Sequence, residues 1–341
     1  MSECKKIAFF NHKGGVSKTT TVFNVAWMLA FKGKKVIMVD ADSQCNLTAM
    51  VMGFKGLEEL EDNQDNIKDA LSPAFESRPK LIEPVECFEI EGRENLYLLP
   101  GSIKFAEYDI TLGMAQSISN SIVTLKNLPG AINYLLDKTA EKYNADYILI
   151  DMSPSLSSIN QNLFMISDYF IIPTAPDYFS VIALDSLSNV LPKWYKQSLK
   201  LQKNEILQEA EYQFPKKSPK YLGNIIQKFN VRSNKPTKGF KEWFTRVNEC
   251  TINKLIPLLD KSNMLLATKT YKENYLLAEI SNFNSLITYS QKYLKPVFEL
   301  TANELKQSGK VLEESEGSID KFKEVFSNLA DHIISMTNEK C

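Results

Sequence analysis

Residues 9–20 read FFNHKGGVSKTT, which gathers two lysines, two glycines and a threonine into positions 13–19. Residue types in that spacing suit a polyphosphate. Gly14 and Gly15 carry no Cβ, so backbone N–H groups can close around phosphate oxygens. Val16 and Ser17 complete the turn, Lys18 can reach β- and γ-phosphates, and Thr20 follows on the same loop. The Thr19 hydroxyl can ligand Mg²⁺, which takes few protein ligands beside phosphate oxygens. The strict phosphate-loop pattern G-x-x-x-x-G-K-[ST] is not met. His12 stands at its first glycine and Ser17 at its second, and an extra lysine, Lys13, precedes the glycine pair. A glycine-rich turn that binds nothing is the alternative, and the surrounding elements argue against it.

Those elements read strand, loop, helix, strand. KIAFFN (6–11) is a short apolar run of the kind found in a buried strand. Over 19–33 the apolar residues Val22, Val25, Ala26, Leu29 and Ala30 keep helical spacing, and Gly33 supplies a stop. KVIMVDAD (35–42) is a second apolar strand ending in two aspartates. The loop therefore follows a strand and opens a helix, whose positive end adds to the anion site. Further buried strands are expected at 95–100, 146–154, 168–176 and 221–229, with helices at 130–143, 157–167 and 180–196. Apolar strands alternating with helices predict an α/β fold: three layers, a mostly parallel twisted sheet and helices on both faces. Residues 1–300 read as one domain, with excursions at about 57–94 and 200–220. Residues 301–341 read as a helical segment packed on the same domain, with Ile319, Phe322, Phe326, Leu329 and Ile333 on one stripe of a helix over 319–335.

Composition narrows the class. The chain has 341 residues, 44% hydrophobic and 24% charged, as in ordinary globular proteins. No apolar run reaches the roughly 18 residues needed to span a bilayer. The first residues pass directly into a strand, so no signal peptide is expected and the predicted location is cytoplasmic. Five cysteines and two histidines form no C-x-x-C or Cys/His cluster, which disfavours a disulfide framework or a zinc site. Net charge is −1, yet residues 57–94 hold twelve acids and four bases, and residues 193–246 hold thirteen bases and four acids. Such asymmetry is either a pair of solvated faces or a binding surface.

KGGVSKTT resembles the deviant Walker A signature K-G-G-x-x-K-[ST] of the ParA/MinD (SIMIBI-class) ATPases, closest to the ParA-type partition ATPases. VIMVDADSQCNLT (36–48) is similar to the family's V-D-x-D-P-Q-x-N motif, with Ser43 in place of proline. YILIDMSPSLSSINQNLF (147–164) is similar to its Walker B and switch II segment, and SDYFIIPTAPDYFSVIALDSL (167–187) to the strand and helix that follow. ISNFNSLITYSQKYLKPVFEL (280–300) resembles the late loop and helix more loosely.

The resemblance implies an Mg²⁺-dependent ATPase that dimerises with ATP. Lys13 would reach across the dimer to the partner's phosphates, where a cation supplied from outside suits phosphoryl transfer. Asp42 would orient the attacking water. Asp151 would hold Mg²⁺ through water, with Ser153-Pro154-Ser155 as the γ-phosphate-sensing switch. Asp40 either joins the metal or caps the next turn. Gln227 and Lys228 stand where the family reads adenine, with an ordinary core or edge position as the alternative. Arg232, Lys235, Lys238 and Lys241, read as a basic loop, would hold non-specific DNA. The implied partners are a second copy and a ParB-like DNA-binding protein, in plasmid or chromosome partition. The rival is an ATP switch that recruits another protein cargo without segregating DNA. A MinD-like membrane role is disfavoured, because 319–341 mixes Lys321 and Lys323 with Asp320, Glu324 and Asp331. An electron carrier of the nitrogenase-reductase kind is rejected for want of a cysteine near 151–155.

Overall fold

Aliphatic runs that alternate with amphipathic stretches fold here as a sheet covered on both faces. A computed structural model describes residues 4–63, 65–117, 125–232, 235–236, 238–267 and 270–338, with backbone alone at 54, 55, 57, 59–63, 232, 235, 236 and 238. The first half runs β1 (Lys5–Phe9), α1 (Lys18–Phe31), β2 (Val36–Ala41), α2 (Asn46–Asn63), α3 (Ile67–Phe75), β3 (Phe88–Glu89), β4 (Leu96–Leu99), α4 (Asp109–Ser117) and α5 (Leu128–Tyr143). The centre continues with β5 (Tyr147–Met152), α6 (Ser158–Ile166), β6 (Tyr169–Thr174), α7 (Tyr178–Gln202), α8 (Glu205–Gln208) and β7 (Lys220–Phe229). The remainder is β8 (Val231–Arg232), β9 (Lys235–Pro236), α9 (Lys238–Cys250), α10 (Ile256–Lys261), β10 (Leu276–Ser281), α11 (Leu286–Tyr293), α12 (Ala302–Leu305) and α13 (Gly309–Asn338).

Among the described residues, the main sheet has the order β10-β7-β6-β1-β5-β2-β4-β3. Every pairing in it is parallel except the short β3 on β4. Every residue of β2, β5 and β6 is buried, which is why these strands read as unbroken apolar runs. Alternation along the strands splits the core in two. Ala8, Ile37, Val39, Ile148 and Ile150 face a layer that includes α3 to α7. Ile7, Phe9, Met38, Tyr147 and Leu149 face α1 and α13. The stripe Ile319, Phe322, Phe326, Leu329 and Ile333 lies in that second core, so α13 is a wall of the sheet's outer layer. Tyr147 Oη and Thr337 Oγ1, 2.9 Å apart, and the Lys32–Asp331 ion pair fix its C-terminal part.

Two stretches expected to leave the body are fastened to it. Leu201, Leu207, Tyr212 and Phe214 are buried in the first core, and so are Ile67, Leu71, Ile82 and Val85. The two segments also meet, since the Ile82 N–H donates to Tyr212 Oη at 3.0 Å. Gly130 lets the second segment cross α5: a Cβ there would stand 2.0 Å from the Tyr212 carbonyl oxygen. Widely spaced aromatics in polar surroundings carry no periodicity, and periodicity was the sequence's main signal.

Phe326 is fully buried between Phe298 and Phe283, with ring centroids 5.5 and 6.3 Å away. Phe326→Ala is expected to cost about 3–5 kcal/mol in urea unfolding. A change under about 1 kcal/mol would show that α13 is dispensable to the core.

Candidate functional site

The loop between β1 and α1 is tied to the crest of the sheet by Asn11. Its Nδ2 donates to the Pro173 carbonyl at 2.8 Å, and its Oδ1 accepts from the Lys13 N–H at 2.9 Å. Gly15 turns the chain at φ 73° and Ser17 at φ 56°, after which α1 begins at Lys18. Ser17 thus holds a left-handed conformation that favours glycine. A cavity of about 580 Å³ opens there, lined by residues 15–20 together with Asp42, Asn46, Pro154 and Lys228 among others. The first-turn N–H groups of α1 have no helical acceptor of their own, so this end of the helix suits an anion.

Three aspartates gather at the ends of β2 and β5, and of these Asp42 lines the cavity. In the parallel register Asp151 lies beside Phe9 on one side and Asp40 on the other. Both Asp151 oxygens are buried and neither accepts a hydrogen bond. Burial, reinforced by Asp40, pushes the Asp151 pKa up to about 8, with the Thr19 hydroxyl and Lys18 ammonium pulling the other way. Burial likewise lowers the pKa of Lys18, against the pull of Asp151 and Asp42. A buried carboxylate without partners, facing a lysine and a threonine, fits a hydrated divalent cation. Asp42 is buried in the loop after β2 and accepts from the Gln44 N–H at 3.1 Å while lining the cavity.

Asp40 does not fit the metal reading. Its Oδ2 accepts from the N–H and hydroxyl of Thr48, at 2.8 and 2.7 Å, and its Oδ1 from the Asp42 N–H at 3.2 Å. Thr48 in turn accepts from the Gly101 N–H at 2.9 Å. Asp40 is therefore the post that fixes the start of α2 and the Asp42 loop, and burial against those bonds raises its pKa to about 6.

Lys13 is not among the residues lining the 580 Å³ cavity. Its Nζ donates to Asp177 Oδ1 at 2.7 Å and to Ser180 Oγ at 3.0 Å, at the start of α7. Asp177 also caps that helix by accepting from the Ser180 N–H at 2.8 Å. Beyond the cavity, Asn160 Nδ2 lies within 2.8 Å of the Ser153 and Ser155 carbonyls and steadies the 153–155 turn. Asn160 lies five residues past that turn, and an asparagine at such a spacing carries no motif of its own.

Gln227 is buried, and each end of its amide makes one contact, Nε2 with the phosphate loop and Oε1 with α1. Lys228, in left-handed backbone at φ 64°, donates to the Gly15 carbonyl at 3.1 Å. An adjoining cavity of about 400 Å³ shares Ser17, Thr20 and Lys228, is lined also by Gln227, and adds Ser281, Asn282 and Phe283 from the end of β10. The basic segment is not a loop throughout: Lys238 and Lys241 belong to α9, whose Phe244 and Val247 are buried. Lys241 is exposed, and the side chains of Arg232, Lys235 and Lys238 lie outside the described residues. No described helix is long and apolar enough to cross a membrane.

Comparison with known proteins adds independent findings. A protein-family model described as an AAA domain matches residues 4–207. An uncharacterised protein of Methanocaldococcus jannaschii is 30% identical over 236 residues, 69% of this chain and 78% of that one. The sporulation initiation inhibitor protein Soj of Bacillus subtilis is 32% identical over 187 residues, 55% of this chain and 64% of its own length. The solved structure of pNOB8 ParA bound to nonspecific DNA covers 99% of this chain and 100% of its own, with TM-score 0.58 and 21% identity, a likeness of fold.

The raised pKa of Asp151 has a sign that can be checked. A carboxyl whose folded pKa lies above its unfolded value near 4 favours the fold at low pH, and that contribution fades as pH climbs toward 8. Without nucleotide or magnesium, stability is expected to fall between pH 6 and 8, and Asp151→Asn to flatten the fall. Urea midpoints at the two pH values measure it, and equal slopes in both proteins would refute it.

Proposed function

The chain belongs to the AAA-domain family of ParA/MinD-type P-loop ATPases, and on that premise we propose that it is a dimerising ParA-type partition ATPase. In this reading two copies enclose two ATP molecules. The ATP dimer holds non-specific DNA, and a ParB-like partner speeds hydrolysis. The observation that carries it is the separation of the two lysines. Lys18 is buried in the phosphate cavity, whereas Lys13 points to Asp177 and leaves its own cavity without that charge.

The residues divide the work as follows. The N–H groups of the loop and the Lys18 ammonium bind the triphosphate. The Thr19 hydroxyl and, through water, Asp151 would hold Mg²⁺, which would supply positive charge to offset the phosphates. Asp42 accepts a hydrogen bond from a water aligned on the γ-phosphorus. That water's oxygen bonds to phosphorus as the bond to the β–γ bridging oxygen breaks, and ADP leaves with that oxygen. Lys13 of one subunit leaves Asp177 and neutralises charge on the partner's triphosphate. Pro154 and the turn held by Asn160 border the same cavity, so the γ-phosphate is sensed next to the face where Lys13 departs. The exposed Lys241 and a structural neighbour solved on nonspecific DNA support the DNA reading.

Light scattering with AMPPNP and magnesium is expected to give a dimer, and a monomer at saturation would overturn the reading. Lys13→Ala is expected to lower turnover by about 10³-fold, the scale of a cation supplied in trans, while nucleotide still binds. Unchanged turnover would count against the trans role. Asp42→Ala is expected to accumulate the ATP dimer. Retention on DNA is expected only with ATP and to fall steeply as salt rises.

A further inference from the structure

Two successive carbonyls of the phosphate loop are held from outside by two successive side chains at the end of β7. Lys228 Nζ donates to the Gly15 carbonyl at 3.1 Å, and Gln227 Nε2 donates to the Val16 carbonyl at 2.5 Å. Among the described residues there is no cis peptide. In a trans peptide the carbonyl and the following N–H point in opposite directions. Holding the Gly15 and Val16 carbonyls toward β7 therefore turns the Val16 and Ser17 N–H groups the other way, and both residues line the 580 Å³ cavity.

The Gln227 amide has one workable orientation. The Val16 carbonyl can only accept, so the NH₂ end must face it, which leaves Oε1 toward the Thr21 hydroxyl at 2.8 Å, whose single proton it shares with the Ser17 carbonyl, also 2.8 Å away. Gln227 thereby ties three elements together: the tip of β7, the loop, and the first turn of α1. Between its two contacts lies Ser17, left-handed at φ 56°, ψ 34°. A non-glycine residue keeps such a conformation only where its surroundings over-determine it.

We propose that Gln227 is a positioning residue that presets the loop N–H groups for a triphosphate and takes no part in reading the base. This rests on the reading of the cavity as a nucleotide site. It also distinguishes this chain from a reader at the same position, whose amide would have to face the base.

Equilibrium binding of ATP–Mg²⁺, GTP–Mg²⁺ and inorganic tripolyphosphate to wild type and Gln227→Leu separates the two roles. All three dissociation constants are expected to rise together by about tenfold, a scale set by one lost backbone hydrogen bond, with the ATP/GTP ratio unchanged. Loss of that ratio with tripolyphosphate binding intact would overturn the proposal. Circular dichroism and the unfolding midpoint report whether the variant folds. If it does not, the isosteric Thr21→Val, which removes the donor to Oε1, is expected to weaken all three ligands about threefold, and unchanged tripolyphosphate binding would overturn the proposal. Wild-type protein that binds none of the three would instead overturn the nucleotide-site reading beneath it.

Discussion

Asp151, the penultimate residue of the central strand β5, has both carboxylate oxygens buried, with the Thr19 hydroxyl and the buried ammonium of Lys18 acting on it. Removing such charges from water costs several kcal/mol each after relaxation, and attraction in a low-dielectric site only partly offsets it. A fold optimised for stability alone would have placed an apolar pair here. The strain sits where three parallel strands end together, and parallel sheets gather their ligand sites at that edge. Burial thus leaves the carboxylate poised between a proton and a cation.

Everything around the site serves to keep that edge in register. Asp40 and Asp151 are direct neighbours in the β2–β5 pairing, and a slip of one residue would send every side chain on β2 to the opposite face. Core packing on both faces forbids the slip, because Val39 and Ile150 belong to one core and Met38 and Leu149 to the other. Asp40, bonded to Thr48 and the Asp42 backbone, transmits the register to the loop that bears Asp42. One carboxylate of the three is therefore scaffold, and it makes the other two precise.

Much of this could be read from residue order. Unbroken apolar runs located β1, β2, β4, β5, β6 and β7, helical spacing located α1, α5, α6, α7 and α13, and of the loop residues Gly15, Lys18 and Thr19 line the 580 Å³ cavity. The strand β10 escaped, because LLAEIS mixes charge into a partly exposed sheet edge. The burial of Tyr212 and Phe214 escaped because it depends on a crossing over Gly130 far away in sequence. Asp40 and Gln227 show a different limit. Residue type and position left Asp40 open between metal ligand and cap and Gln227 between base reader and core position, and only the fold reveals that Asp40 bonds Thr48 and the Asp42 backbone while Gln227 bonds the loop and α1.

The two lysines of the loop illustrate how five residues of chain separate two tasks. Lys18 starts a helix whose buried face includes Val22 and Val25, so its ammonium is committed to the cavity by the packing of α1. Lys13 precedes two glycines and is restrained chiefly by side-chain contacts with Asp177 and Ser180 on α7. Asp177 is partly exposed, so water screens the pair and its rupture costs little beside the burial of Lys18. A strongly fixed charge suits ground-state binding of phosphate. A weakly held one suits a charge delivered only when a second triphosphate is at hand, and the turn at Gly15 is what sends the two lysines to different surroundings.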